Sequence, residues 1–249
     1  MTSIRLRVDN YRGVPVPRSL GLALAAAAVL GTAGVASVRD VGAPGWGALV
    51  GCLLVFAAGF LDDLVGAGPR GVRNHVRALA DGRVTTGLLK AVVAFGAAVV
   101  IVALEPARPA TVRLAGIVLI AGSANVWNGL DVRPGRALKA FLPAALAFLL
   151  FGELWLAPAV LGLFVAALVV LPLDLGERAM LGDGGANLLG AAAGLGLYLV
   201  LPGWGVVVAA ALAVALNVTA ETITLSRTID AVAPLRWVDR LGRRPEPAS

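Results

Sequence analysis

WGALVGCLLVFAAGFLDDLVG, residues 46–66, is the stretch on which the fold turns. From Trp46 to Leu61 it is apolar and uncharged, and it then closes on two adjacent carboxylates, Asp62 and Asp63. Membrane strands alternate apolar and polar residues, and this run does not, so it reads as a helix. A helix that is apolar all round has no face to give to water. A bilayer core takes roughly 20 apolar residues as a helix, within a range of about 17–25. Seven more runs of this kind lie at 20–38, 88–104, 112–127, 138–151, 154–173, 186–201 and 204–219. Gly152 and Glu153 alone separate the fifth from the sixth, which predicts a tight helical hairpin.

The composition agrees. The chain is 59% hydrophobic and 14% charged, with mean hydropathy +0.87. Soluble domains carry roughly 25% charged residues, so lipid is the expected solvent for most of the 249 residues. Eight spans put both termini on one side. Eighteen of the 21 basic residues fall in loops on that side, and Arg39, Arg108 and Arg113 alone fall on the other. Basic loops stay inside, so both termini are expected in the cytoplasm. The expected fold is therefore all-α: one polytopic transmembrane domain over 1–249, with 222–249 as a cytoplasmic tail. The net charge of +6 then reflects cytoplasmic loops beside an anionic leaflet rather than nucleic acid. Residues 1–18 are polar and basic, so no cleavable signal peptide is expected. Cys52 lies in an apolar run and reads as a small buried hydrophobe.

Acidic residues gather at span ends on the basic side, and ionisable groups at membrane boundaries are functional candidates. Asp62 and Asp63 repel one another near the negative end of a helix dipole, so a basic loop or a divalent cation should compensate them; the plain alternative is a solvated helix end. Asp183, in MLGDGGANLLG, stands among glycines just before the seventh run. Its neighbouring amides could bind phosphate oxygens, with Asp183 holding a metal beside them; alternatively Asp183 simply caps the helix. Asn125, Asn128 and Asp131 recur at intervals of three and should share roughly one helical face. They could bind a base, a sugar or a hydrated cation, or merely bond between helices. Carboxylates interleaved with Arg70, Arg73, Arg77, Arg83, Arg133, Arg136 and Lys139 suit a metal-bound diphosphate better than a bare cation. His75, the single histidine, reads as an ordinary loop residue.

At these residues the chain resembles the polyprenyl-phosphate N-acetylhexosamine-1-phosphate transferases. GFLDDLVG (59–66) resembles the family's G-F-x-D-D signature, and NVWNGLD (125–131) its N-x-x-N-x-x-D signature. MLGDGGANLLG (180–190) is similar to its M-G-D-x-G-S/A-x-x-L-G signature. DNYRGVPVPRSLG (9–21) and GRVTTGLLK (82–90) resemble the segments leading into two of its spans. There are departures: eight spans stand where the family usually has ten, Pro134-Gly135 replaces a D-G pair, and the late His-rich loop has no counterpart. The chain reads as a short, divergent member.

The resemblance implies a Mg²⁺-dependent enzyme (Mn²⁺ as substitute) at the inner membrane. It would move a sugar 1-phosphate from a UDP-sugar, such as a UDP-N-acetylhexosamine, to a polyprenyl phosphate and release UMP, early in cell-envelope synthesis. It implies Asp62, Asp63 and Asp183 as catalytic residues, and Asp183 with Asp131 as metal ligands. Asn125, Asn128, Asp131, Arg133, Arg136, Lys90 and Asn187 would bind substrate. The expected partners are the UDP-sugar, the polyprenyl phosphate, the bilayer and no nucleic acid, with a homodimer also among the expectations. Three rivals stand beside this reading. A non-catalytic relative would bind lipid or nucleotide only. A transporter would place acidic residues at mid-membrane. A CDP-lipid phosphatidyltransferase would need a run of spaced Asp and Gly that is absent.

Overall fold

A computed structural model describes residues 7–65, 72–105 and 108–244. Arg5, Arg70 and the side chain of Arg73 lie outside the described residues. Each of the eight apolar runs falls largely on a helix: α1 (Leu20–Ala36), α2 (Gly42–Val65), α4 (Thr86–Leu104), α5 (Ala110–Leu130), α6 (Arg136–Phe151), α7 (Ala159–Leu175), α8 (Gly182–Val200) and α9 (Gly203–Thr222). Shorter helices are α3 (Val72–Ala80), α10 (Leu225–Ala231) and α11 (Ala233–Arg240). By length and composition α2, α4, α5 and α9 can each cross a membrane. Their outward faces carry large exposed apolar side chains, among them Val50, Val92, Val118 and Leu212. So much bare apolar surface does not survive in water, and the protein is a membrane-embedded helical bundle.

α8 is the axis. Nearly all of it is buried, against α5 and α2 first and then α6 and α1. Its small residues make that possible. A Cβ at Gly185 would come within 2.8 Å of the Gly21 Cα on α1, and one at Gly190 would strike the backbone of Ser123 and Ala124 on α5. Close backbone approach of this kind is how helices associate where lipid supplies no hydrophobic drive.

Asp62 and Asp63 close α2 as expected, in its last turn. Other boundaries correct expectations. α8 starts at Gly182, which puts Asp183 inside the first turn rather than before it. Its N-cap is Leu181, with no side-chain cap bond, so Asp183 is not the cap. The α6–α7 joint is longer than two residues: Gly152 ends α6 in extended backbone, and α7 begins only after Pro158. A two-stranded hairpin, β1 (Arg7–Asp9) and β2 (Pro15–Pro17), was not expected. Asn10 Oδ1 builds its turn by accepting from the amides of Arg12 and Val14, and Gly13 takes φ +75°. The hairpin is tied to the α7–α8 loop by Met180 N–H to Pro17 O (3.0 Å) and Leu20 N–H to Met180 O (3.3 Å).

The two ends of the bundle differ. At the end away from the hairpin, Arg108 donates to the carbonyls of Leu199 and Leu201 and lies over the Tyr198 ring. Nearby Glu105 is buried with neither carboxylate oxygen hydrogen-bonded. Burial pushes its carboxyl from 4.5 up to about 7, with the Arg108 charge pulling the other way. A raised carboxyl stabilises the fold below pH 4.5 and loses that contribution as pH rises through about 7. Glu105→Gln is therefore expected to raise the Tm of detergent-solubilised protein above pH 7 and to change it little below 4.5. An unchanged or lower Tm at high pH would count against a buried, ionising Glu105.

Candidate functional site

The motif residues meet at the hairpin end. Lys90, on the first turns of α4, reaches across to two acidic helix ends. Its ammonium donates to Asp62 Oδ2 at 3.3 Å and to Asp183 Oδ2 at 2.6 Å. Asn128, with its amide oriented to suit both neighbours, donates to Asp183 Oδ1 at 3.1 Å and accepts from Lys90 Nζ at 3.3 Å. Four helices, α2, α4, α5 and α8, thus contribute one side chain each to a continuous polar cluster. Asp183 is its most open carboxylate, with 34% of its side chain exposed against 20% for Asp62.

Asp63 faces elsewhere. Its carboxylate accepts from the amides of Asp183 (3.1 Å) and Gly184 (3.0 Å) and pairs with Arg18 at 2.9 Å. It is 5% exposed. The amides at the start of α8, expected to be open to phosphate, are therefore engaged by Asp63. A carboxylate at a helix N-terminus is well placed electrostatically, and here it fixes α8, and with it Asp183, against α2.

Asp131 follows the last residue of α5. The residue is half-buried. Burial first, and then the charges of Asp174, Asp183 and Asp63, hold its carboxyl well above the usual range, with Arg18 opposing them. Excess negative charge of this kind invites a cation. Among the described residues no three Asp, Glu, His or Cys side chains converge as a ready-made cage. Mg²⁺ does not need one, since it uses one or two carboxylates and completes its shell with water and substrate phosphate. Asp183, already paired with Lys90, and Asp131 are hard oxygen donors.

Beside Asp131 a cleft opens between the hairpin, the α5–α6 turn and the α7–α8 loop, lined by Asn10, Tyr11, Asp131, Arg133, Asp174 and Glu177. Tyr11 lies under the guanidinium groups of Arg133 and Arg243, at 4.6 and 5.8 Å. Glu177, with positive φ (53°), holds the hairpin as a wall by accepting from Asn10 (3.0 Å), Tyr11 (3.2 Å) and Arg12 (3.0 Å). Asp174 accepts from the Gly135 amide at 2.7 Å and shapes the α5–α6 turn.

Other expected site residues lie apart from the cluster. Asn125 bonds to Asn217 on α9, an interhelical contact. Asn187 is buried between α8 and Gly59 of α2. Arg136 is 5% exposed and spent on Asp239 (2.8 and 3.0 Å) and Ser226, so it anchors the tail instead of facing a ligand. Burial would raise the Asp239 carboxyl, but hydrogen bonds from Arg136 and the charges of Arg136, Arg243 and Lys139 hold it below its ordinary 3.8. His75 is more than a loop residue: its Nδ1 lies 2.8 Å from the hydroxyl of Thr85, the residue that caps α4. Sequence reasoning missed Arg18, Tyr11, Asp174 and Glu177. The signals were the place of Asp174 and Glu177 on the basic side at a span end, and that of Tyr11 and Arg18 within DNYRGVPVPRSLG. No family model matches the chain, and no curated protein matches it.

Proposed function

We propose that this protein is a Mg²⁺-dependent phosphoglycosyltransferase of the membrane. It moves a sugar 1-phosphate from a UDP-sugar to a polyprenyl phosphate. The observation that carries this reading is the meeting of Asp62, Lys90, Asn128 and Asp183, drawn from four helices and from the segments that resemble the transferase family.

An oxygen of the lipid phosphate attacks the sugar-bound phosphorus. The new P–O bond forms as the diphosphate bridge breaks, and the bridging oxygen leaves with UMP, taking the bonding electrons. Both reactants are anions, so the site must first cancel their repulsion. Lys90 supplies a fixed positive charge where the two phosphates meet. Asp62 keeps the ammonium in place, and Asn128 holds Asp183 and Lys90 in register. Mg²⁺ bound at Asp183 and Asp131 would neutralise the diphosphate and stabilise charge developing at the transferred phosphorus. Asp63 and Arg18 are positioning residues that fix the start of α8. The cleft beside Asp131 takes the nucleotide, with Tyr11 and Arg133 as its aromatic and cationic walls.

The reading includes eight spans with both termini in the cytoplasm of a plasma-membrane protein. Its support is that the acidic and basic residues assigned to the cytoplasmic side contact one another, while Glu105 and Arg108 lie with the opposite helix ends. Reporter fusions after Ser249 are expected to read as cytoplasmic, and fusions near Arg108 as external. A cytoplasmic signal near Arg108 would break the eight-span arrangement.

The decisive assay incubates detergent-purified protein with undecaprenyl phosphate and a panel of UDP-sugars and measures UMP. EDTA is expected to abolish release, and Mg²⁺ or Mn²⁺ to restore it, because carboxylate and amide oxygens favour hard cations. Full turnover in chelator would remove the metal. A relative that only binds lipid or nucleotide is the second reading, favoured by the way Lys90 already engages both Asp62 and Asp183. It predicts ligand binding with no UMP from any UDP-sugar.

A further inference from the structure

The tail after α9 is held to the bundle by few but strong contacts. Leu225 of α10 is buried. On α11 the buried residue is Asp239, gripped by Arg136 and by Arg243 at 2.6 Å, while Lys139 donates to the carbonyls of Val238 and Asp239. At 3.6 residues per turn, the positions roughly opposite Asp239 are Trp237 and Leu241, flanked by Val238 on one side and Arg240 on the other. Trp237 is 66% exposed, Leu241 44% and Val238 43%. The helix thus turns a charged edge to the protein and an indole with two aliphatic side chains away from it.

Its location and charge say what that outer face meets. α9 is a lipid-exposed helix long enough to cross a bilayer, and α10 and α11 follow it at once, level with the start of α6. They therefore leave the bundle at a membrane boundary. Arg227, Arg240 and Arg244 are exposed there, against Glu221 and Asp230. Indole rings favour the headgroup level, and basic side chains favour an anionic leaflet.

We propose that α11 is an in-plane interfacial helix that docks on the anionic phospholipid headgroups of the adjacent leaflet. Trp237 and Leu241 enter the boundary between headgroups and acyl chains, and Arg227 and Arg240 meet lipid phosphates.

The test uses the full chain in nanodiscs of phosphatidylcholine alone or mixed with phosphatidylglycerol. Subtracting the Trp237→Phe signal isolates this indole from the other four tryptophans. Acrylamide quenching of Trp237 is expected to be several-fold weaker in the anionic discs. Lipids brominated high on the acyl chain should quench it more than lipids brominated near the chain end. The double variant Arg227→Gln, Arg240→Gln leaves the Asp239 clamp untouched and should abolish the difference between discs. The scale is roughly a fivefold shift in the docking equilibrium for each basic side chain removed. Equal acrylamide access in both discs, strongest quenching by the deep bromines, or shielding that grows with protein concentration, as a partner copy would give, each overturns the assignment.

Discussion

Asp183→Asn is expected to yield a folded protein whose UMP release falls by about 10²-fold or more, the scale of losing one strong electrostatic stabiliser. The geometry separates folding from chemistry at this residue. Asp183 makes no capping bond, and α8 is anchored through the Asp183 amide, which asparagine retains. Lys90 keeps Asp62 as a partner when the Asp183 charge is lost, so no unpaired buried cation is left behind. Asparagine keeps the size and one oxygen, but not the charge that draws Mg²⁺ and balances the diphosphate. Asp40→Asn is the matched control. Asp40 is exposed, and its Oδ1 accepts from the Gly42 amide, a bond asparagine also makes. It should be silent. Near-wild-type turnover by well-folded Asp183→Asn would refute the assigned site.

The helices were legible because an apolar run has one solution in lipid, and the eight runs lie largely on helices, the sixth starting ahead of α7. Their ends were less so. Asp183 reads as lying before its helix, yet α8 carries it in its first turn; Asp62 and Asp63 do close α2, in its last turn. Adjacent helical residues point about 100° apart. One geometric fact therefore divides the pair that sequence left undivided: Asp62 turns to Lys90, and Asp63 to Arg18 and the start of α8. The same rotation undoes the shared face expected of Asn125, Asn128 and Asp131. Each step of three falls short of a full turn by about 60°, so Asn125 drifts to α9 while Asn128 meets Asp183. Arg136 illustrates a different blindness. A basic residue near an Asn–Asp motif reads as a phosphate ligand until Asp239, 103 positions later, is seen to occupy it. Pairings across that separation leave no local mark.

Lys90→Gln should have the other large effect, and it distinguishes a chemical role from a structural one. Lys90 is 13% exposed and is the only cation that bonds Asp62 and Asp183 among the described residues. If it merely holds α2, α4 and α8 together, its loss lowers stability and leaves the metal requirement unchanged. If it neutralises the reacting phosphates, turnover falls by roughly 10²–10³-fold, as when a charge-stabilising donor is removed from other active sites. A second change should accompany that loss. Without the ammonium, Asp62 and Asp183 keep their full negative charge, so less Mg²⁺ should be needed to saturate the residual activity. A purely structural lysine does not predict that opposite movement, with turnover down and metal affinity up. The readout is UMP release titrated with Mg²⁺ in wild type and Lys90→Gln, alongside Tm. A lower Tm with unchanged turnover and unchanged Mg²⁺ dependence would reduce Lys90 to an interhelical tie and remove the phosphate-neutralising charge from the proposed mechanism.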